Sequence, residues 1–140
     1  MIAGVRRLLD SVTKWASQRE SILAVALVGS QANGTASACS DVDLIVLVRD
    51  ADAFLRDTSW IEAFGQPIRH LPESYGNLAV IRVWYQNGLE VEFGFSDERW
   101  PLDAGGQAVI AEGIRVLLDR GPLKAHHDAG PPGRKCSTPI

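Results

Sequence analysis

Asp41 and Asp43 are the residues of this chain best placed by type and spacing to do chemistry. They open an apolar run, and side chains two apart on a strand point the same way, with Cα atoms roughly 6–7 Å apart. That spacing lets two carboxylates share one or two magnesium ions, which take oxygen ligands and commonly combine carboxylates with substrate phosphates. Upstream, the run Val25-Ala-Leu-Val28 ends in Gly29-Ser30, and a loop of small residues leads to Ser40. Gly29 lets the backbone approach a phosphate that a side chain would block. Ser30 offers hydroxyl and amide donors and can start a helix whose positive end faces an anion. Two buried strands, a turn that admits a phosphate and a carboxylate pair beside it predict a nucleoside triphosphate site.

A third acid would complete that site. In Leu89-Glu-Val-Glu-Phe-Gly-Phe95 the alternation is strict: Leu89, Val91, Phe93 and Phe95 face one way, Glu90, Glu92 and Gly94 the other. Taken alone, the two acids read equally well as the solvated face of an edge strand. Beside Asp41 and Asp43 they read as a third metal ligand or a general base, because a buried carboxylate is costly unless paired or metal-bound. Glu92 lies deeper in the strand than Glu90, which sits beside the turn. Glu92 is therefore the expected third carboxylate.

The elements that must position these groups are legible around them. Val5, Leu8, Leu9, Val12, Trp15 and Ala16 recur at helical spacing within Ala3 to Gln18, which predicts an amphipathic helix packed on the core. Ser21 to Val28 and Asp41 to Val48 are apolar on both faces, the pattern of covered central strands. Asp50 is placed to cap a short helix through Arg56. Ser59 to Ser74 has no clear period and is broken by Pro67 and Pro72. Leu78 to Tyr85 and Leu89 to Phe95 read as strands joined by the turn Gln86-Asn87-Gly88. Ala108 to Asp119 reads as a short helix running into the apolar segment Ile114 to Leu118. Residues 121–140, rich in Pro, Gly and small polar residues, are expected to form a disordered tail.

Composition sets the outer bounds. The 140 residues suffice for one ordinary domain, and a net charge of −3 leaves no electrostatic footprint for nucleic acid. No apolar stretch approaches bilayer length, and the amphipathic start lacks a leader's apolar segment. Two cysteines, Cys39 and Cys136, do not make a disulfide framework, so the expected compartment is the cytoplasm.

Gly29-Ser30, a short loop, Ser40-Asp41-Val-Asp43-Leu and a later strand acid resemble the DNA polymerase β-type nucleotidyltransferase superfamily. Within it the chain is most similar to the minimal nucleotidyltransferases and drug-modifying adenylyltransferases of bacteria, over about Ile22 to Phe95. The resemblance implies an α/β (α+β) fold, a mixed central sheet with helices packed on one side, over residues 1–120. It implies Gly29, Ser30 and Ser40 as nucleotide-binding residues, and Asp41, Asp43 and Glu92 as catalytic residues and ligands of Mg2+. The implied enzyme moves a nucleoside monophosphate, AMP from ATP, onto a hydroxyl acceptor. An alternative within the resemblance is an antitoxin that binds or modifies a helical ribonuclease.

One departure concerns charge. Where many relatives carry loop arginines after Gly-Ser, this chain has Gln31 and Asn33, which leaves Arg69 or Arg82 to supply the cation. The absence of an acceptor-binding domain after the core implies a homodimer or a protein partner, with Trp84, Tyr85 and Trp100 as the expected contact surface. The remaining candidates carry less. His126-His127 lack the further spaced ligands a zinc site needs, Cys39 reads as a small loop filler, and His70 has no visible partner. Trp60, Trp84 and Trp100 read as core or interface residues, with Trp84 nearest the acids.

Overall fold

The computed structural model describes residues 3–36 and 41–124. Ser40, Cys39, the two adjacent histidines and residues 125–140 lie outside that description. Helix α1 spans Ala3–Ser17 and buries Val5, Leu8, Leu9, Val12, Trp15 and Ala16, the six positions its periodicity marks. Strand β1 (Ile22–Val28) leads through a one-turn helix α2 (Ser30–Asn33) toward β2 (Val42–Val48). Helix α3 (Ala51–Arg56) follows, entered at Asp50, whose side chain makes no capping hydrogen bond.

The stretch without a clear period resolves into two elements. Ser59–Phe64 is a 3-10 helix that buries Trp60 and Ile61, and Pro67–Tyr75 is strand β3. Strand β3 pairs only with β4 (Leu78–Tyr85), so it forms an edge, where proline's missing N–H is tolerated. Strand β5 (Glu90–Ser96) completes the expected hairpin.

In the chain's last part the expected short helix begins earlier than residue 108, and the apolar segment it runs into is a strand. Helix α4 runs Ala104–Ala111, and the apolar segment beyond it is strand β6 (Arg115–Asp119), paired with β1. Gly105 and Gly106 obscure the helix start, because glycine weakens a helix interior. Gly106 has a packing reason: a Cβ there would stand 1.9 Å from the Trp100 carbonyl oxygen. Leu123 is buried against the same layer, so the folded body extends beyond residue 120 to at least that position.

The described strands form one mixed sheet in the order β3-β4-β5-β2-β1-β6. Only β2 and β5 run parallel; every other pair is antiparallel. Helices flank both faces rather than one. Residues from α1, α3 and the 3-10 helix cover the face of Val25, Leu27, Leu44, Val46, Phe93 and Phe95. Trp100, Val109, Ile110 and Leu123 pack on Ala24, Ala26, Ile45 and Leu47 of the other, because those positions are apolar too and need cover. That second cover leaves part of its face open. Among the described residues no helix is long and apolar enough to cross a membrane.

Candidate active site

The open part of the second face carries the acids. Strand register sets a row across the sheet: Val28 pairs with Asp43, Asp43 with Glu92, Glu92 with Arg82 and Arg82 with Leu71. Alternation along β5 sends Glu90 and Glu92 to this face and Val91 and Phe93 to the other. Asp41, immediately before β2, joins them. One carboxylate oxygen each from Asp41, Asp43 and Glu92 lie within 4.8 Å of one another.

Crowding three carboxylates raises the cost of charging them. Burial, then hydrogen bonds to Asp43 and Asp41, push the Glu92 carboxyl up to about 9. Burial and the neighbouring Asp41 also raise Asp43, while its hydrogen bond to Glu92 works the other way. Both shifts favour retention of a proton among the three acids when no cation is bound. Asp43 Oδ1 is buried and accepts no hydrogen bond. A buried carboxylate oxygen without a donor is costly. Three clustered carboxylates, with an orphaned oxygen on Asp43, fit a hard divalent cation.

Gly29 borders the trio. Its backbone, at φ 72° and ψ −155°, is open to glycine alone, and a Cβ would stand 2.6 Å from Asp43 Oδ2. Ser30 begins α2, and the Gly29 carbonyl accepts from the amides of Ala32 and Asn33 at 3.0 and 3.1 Å. The sequence-predicted Gly29, Asp43 and Glu92 meet in one cleft of about 330 Å³, floored by Ile45, Leu78, Val80 and Gly94.

Arg82 is the group whose importance the spacing of the acids does not reveal. Its guanidinium contacts Asp41, Glu73, Glu90 and Glu92. It is thereby committed to carboxylates, whereas Arg69 stacks over Trp84, 4.2 Å from the ring centroid. Glu90 shares the face but lies one step along β5 toward the turn, paired with Arg82 and outside the trio. The signal for Arg82 was present. A hairpin turning over Gln86-Asn87-Gly88 with Tyr85 opposite Leu89 counts back to Arg82 opposite Glu92.

The aromatic contact surface expected around Trp84, Tyr85 and Trp100 is corrected. Tyr85 and Trp100 are 2% and 3% exposed, because each fills the chain's own interior. Tyr85 donates its hydroxyl proton to the Ile61 carbonyl at 2.7 Å, and Trp100 lies under α4. Trp60 is core, and His70 sits on the exposed edge strand 3.5 Å from the Thr58 hydroxyl.

Comparison with known proteins follows the same lines. Residues 4–93 match the family described as streptomycin adenylyltransferase. The fold is similar to the crystal structure of an aminoglycoside 6-adenyltransferase from Bacillus subtilis, at 19% identity and a TM-score of 0.56. That alignment covers 76% of this chain but 38% of the other, so the chain spans well under half of its length. A cytoplasmic RNA terminal U-transferase aligns at 22% identity and a TM-score of 0.48, over 64% of this chain and 27% of that one. No curated protein matches the chain.

Proposed function

The chain belongs to the streptomycin adenylyltransferase family, and from that premise we propose that it is a magnesium-dependent nucleotidyltransferase moving AMP from ATP onto a hydroxyl acceptor. The observation that carries the proposal is the convergence of Asp41, Asp43 and Glu92 beside Gly29. The names of the family and of the Bacillus structure make an aminoglycoside the first acceptor to test.

In this mechanism the Gly29-Ser30 turn binds the triphosphate through backbone and hydroxyl donors, joined by Ser40. Asp41, Asp43 and Glu92 would hold the metal, which would lower the pKa of the attacking hydroxyl and balance charge on the α-phosphoryl group and pyrophosphate. In the alternative assignment Glu92 is instead the base that accepts the hydroxyl proton. The acceptor oxygen bonds to the α-phosphorus as the bond to the bridging oxygen breaks, and pyrophosphate leaves toward Gly29. Holding the acceptor in line supplies much of the rate. We propose that a second copy or a partner chain helps to hold the acceptor; sedimentation of the purified protein, with and without acceptor, tests this.

Transfer from ATP labelled at the α-phosphate to streptomycin tests the activity. Asp41→Asn and Asp43→Asn should each remove it while circular dichroism stays unchanged, a loss of roughly 10²–10⁴-fold for several kcal/mol of transition-state stabilisation. Glu92→Gln should cut turnover by at least ~10²-fold, and Glu90→Gln by much less. Near-normal turnover in either aspartate variant would remove the central assignment.

A further inference from the structure

We propose that Arg82 is the positioning residue of this site: its guanidinium fixes one oxygen each of Asp41 and Glu92 and so presets the oxygens left for the cation. The proposal rests on the metal-dependent reading above.

An arginine carries five N–H donors in a rigid planar fork. Here the whole fork meets carboxylates. Nε donates to both Glu73 oxygens, at 3.2 and 3.3 Å. Nη2 lies 3.1 Å from Glu73 Oε1 and donates to Glu92 Oε1 at 2.8 Å. Nη1 donates to Glu90 Oε2 and, at 3.4 Å, to Asp41 Oδ2. Glu73 on β3 and Glu90 at the start of β5 lie outside the trio and anchor the guanidinium from two different strands. The residue itself pairs with Glu92 in the β4–β5 ladder and its side chain is 18% exposed, so the sheet fixes where the fork starts.

Two acids of the trio then have one oxygen each on Arg82. Asp41 Oδ2 and Glu92 Oε1 are on Arg82, and Asp43 Oδ2 is pressed against the space a Gly29 side chain would need. That leaves the buried, unpartnered Asp43 Oδ1 for a cation, with Asp41 and Glu92 oriented beside it. Groups that hydrogen-bond a metal's ligands orient them, and losing one typically costs about 10–100-fold in metal affinity. Lysine keeps the charge but offers three donors from a single nitrogen and cannot span four carboxylates. A charge-preserving substitution therefore separates positioning from simple electrostatics.

Binding of Mn2+ alone to the full chain, followed by electron paramagnetic resonance, is the test. Arg82→Lys should raise the Mn2+ dissociation constant by at least ~10-fold, with the far-ultraviolet circular dichroism unchanged. Glu73→Gln alters no proposed ligand and weakens the β3 anchor of the fork, together with the bond that Glu73 Oε1 accepts from the Tyr75 hydroxyl. It should weaken binding by roughly 3-fold or more, and the loss should persist in about 0.5 M KCl, where screening acts within about 4 Å. Mn2+ binding by Arg82→Lys within about twofold of wild type overturns the proposal while leaving the functional reading intact. Should that variant fail to fold, wild-type affinity in Glu73→Gln overturns it equally. A wild-type chain that binds no Mn2+ at millimolar concentration overturns the functional reading, and this proposal with it.

Discussion

On one face of β5, Val91, Phe93 and Phe95 disappear into an aromatic cluster with Trp15, Phe54, Trp60 and Phe64; on the other, Glu90 and Glu92 sit among carboxylates gathered around Arg82. The first face is built from contacts that need only shape. Trp60 meets Phe93 edge-on at 4.9 Å between centroids, and Phe54 stacks on Phe95 at 5.2 Å. Apolar burial of this kind is non-directional and roughly proportional to area. The second face depends on direction: which oxygen meets which N–H, and which strand stands opposite which. A one-residue slip of β5 would exchange the two faces, so the aromatic side fixes the register that the acidic side uses. The comparison teaches a division of labour. One face holds the strands in place, and the other spends that order on a crowded group of acids.

The division is broken most severely by Trp60→Ala. Removing a buried tryptophan from the shape-dependent face should cost about 3–5 kcal/mol of stability. Transfer by the fraction still folded in the cold should stay within about twofold of wild type, since an effect purely on stability leaves the transition state alone. The aspartate variants should do the reverse. Thermal melts and turnover measured on both sets would decide it, and a Trp60→Ala protein that is stable but inactive would show that the two faces are not separable.

Gly29→Ala should act on both faces at once. Gly29 ends β1, whose side chains feed both cores, yet its missing Cβ leaves room for Asp43 Oδ2. A side chain at φ 72° and ψ −155° costs of order 1–3 kcal/mol, and it must also displace the carboxylate 2.6 Å away. Stability and transfer should therefore fall together. An unchanged melting temperature with full activity would mean that the turn relaxes at no cost, against the backbone geometry of Gly29.

The faces also differ in how much of each was legible in the sequence. The six buried positions of α1 and the alternation of β5 were readable because one period governs each. The Asp41, Asp43 and Glu92 assignment needed only that alternation and a strand-to-strand pairing, and the structure brings the three together. Strand β3 was hidden by Pro67 and Pro72, which forbid a central strand but not an edge. Strand β6 was legible only as an apolar segment after a short helix, since a five-residue apolar run has no period of its own. Arg82 was harder for another reason. Its role lies in partners supplied by β3, β5 and the residue before β2, and no local pattern in Leu78 to Tyr85 announces four carboxylates. Packing faces are written in periods; hydrogen-bonding hubs are written in register.

The smallest expected effect concerns the proton in the trio. Burial and its acidic neighbours raise the Glu92 carboxyl from an ordinary 4.5 to about 9. The folded protein without metal thus binds this proton more tightly than the unfolded chain does. Stability contributed by that proton is fully present below the unfolded value and is lost as pH rises through the folded one. The Tm of the metal-free protein should therefore decline across the window from about 4.5 to about 9, by a few degrees only, because the site is partly open to solvent. A cation competes with the proton for the same oxygens, so metal affinity rises with pH. Added Mg2+ should then raise Tm little at the acidic end of the window and more at the alkaline end. The aromatic face contains no comparable titrating group, so Asp43→Asn, which breaks the trio, should flatten both trends without lowering Tm in the acidic range. An Mg2+ increment that is the same at both ends, or that survives in Asp43→Asn, would show that the cation binds somewhere other than these three carboxylates.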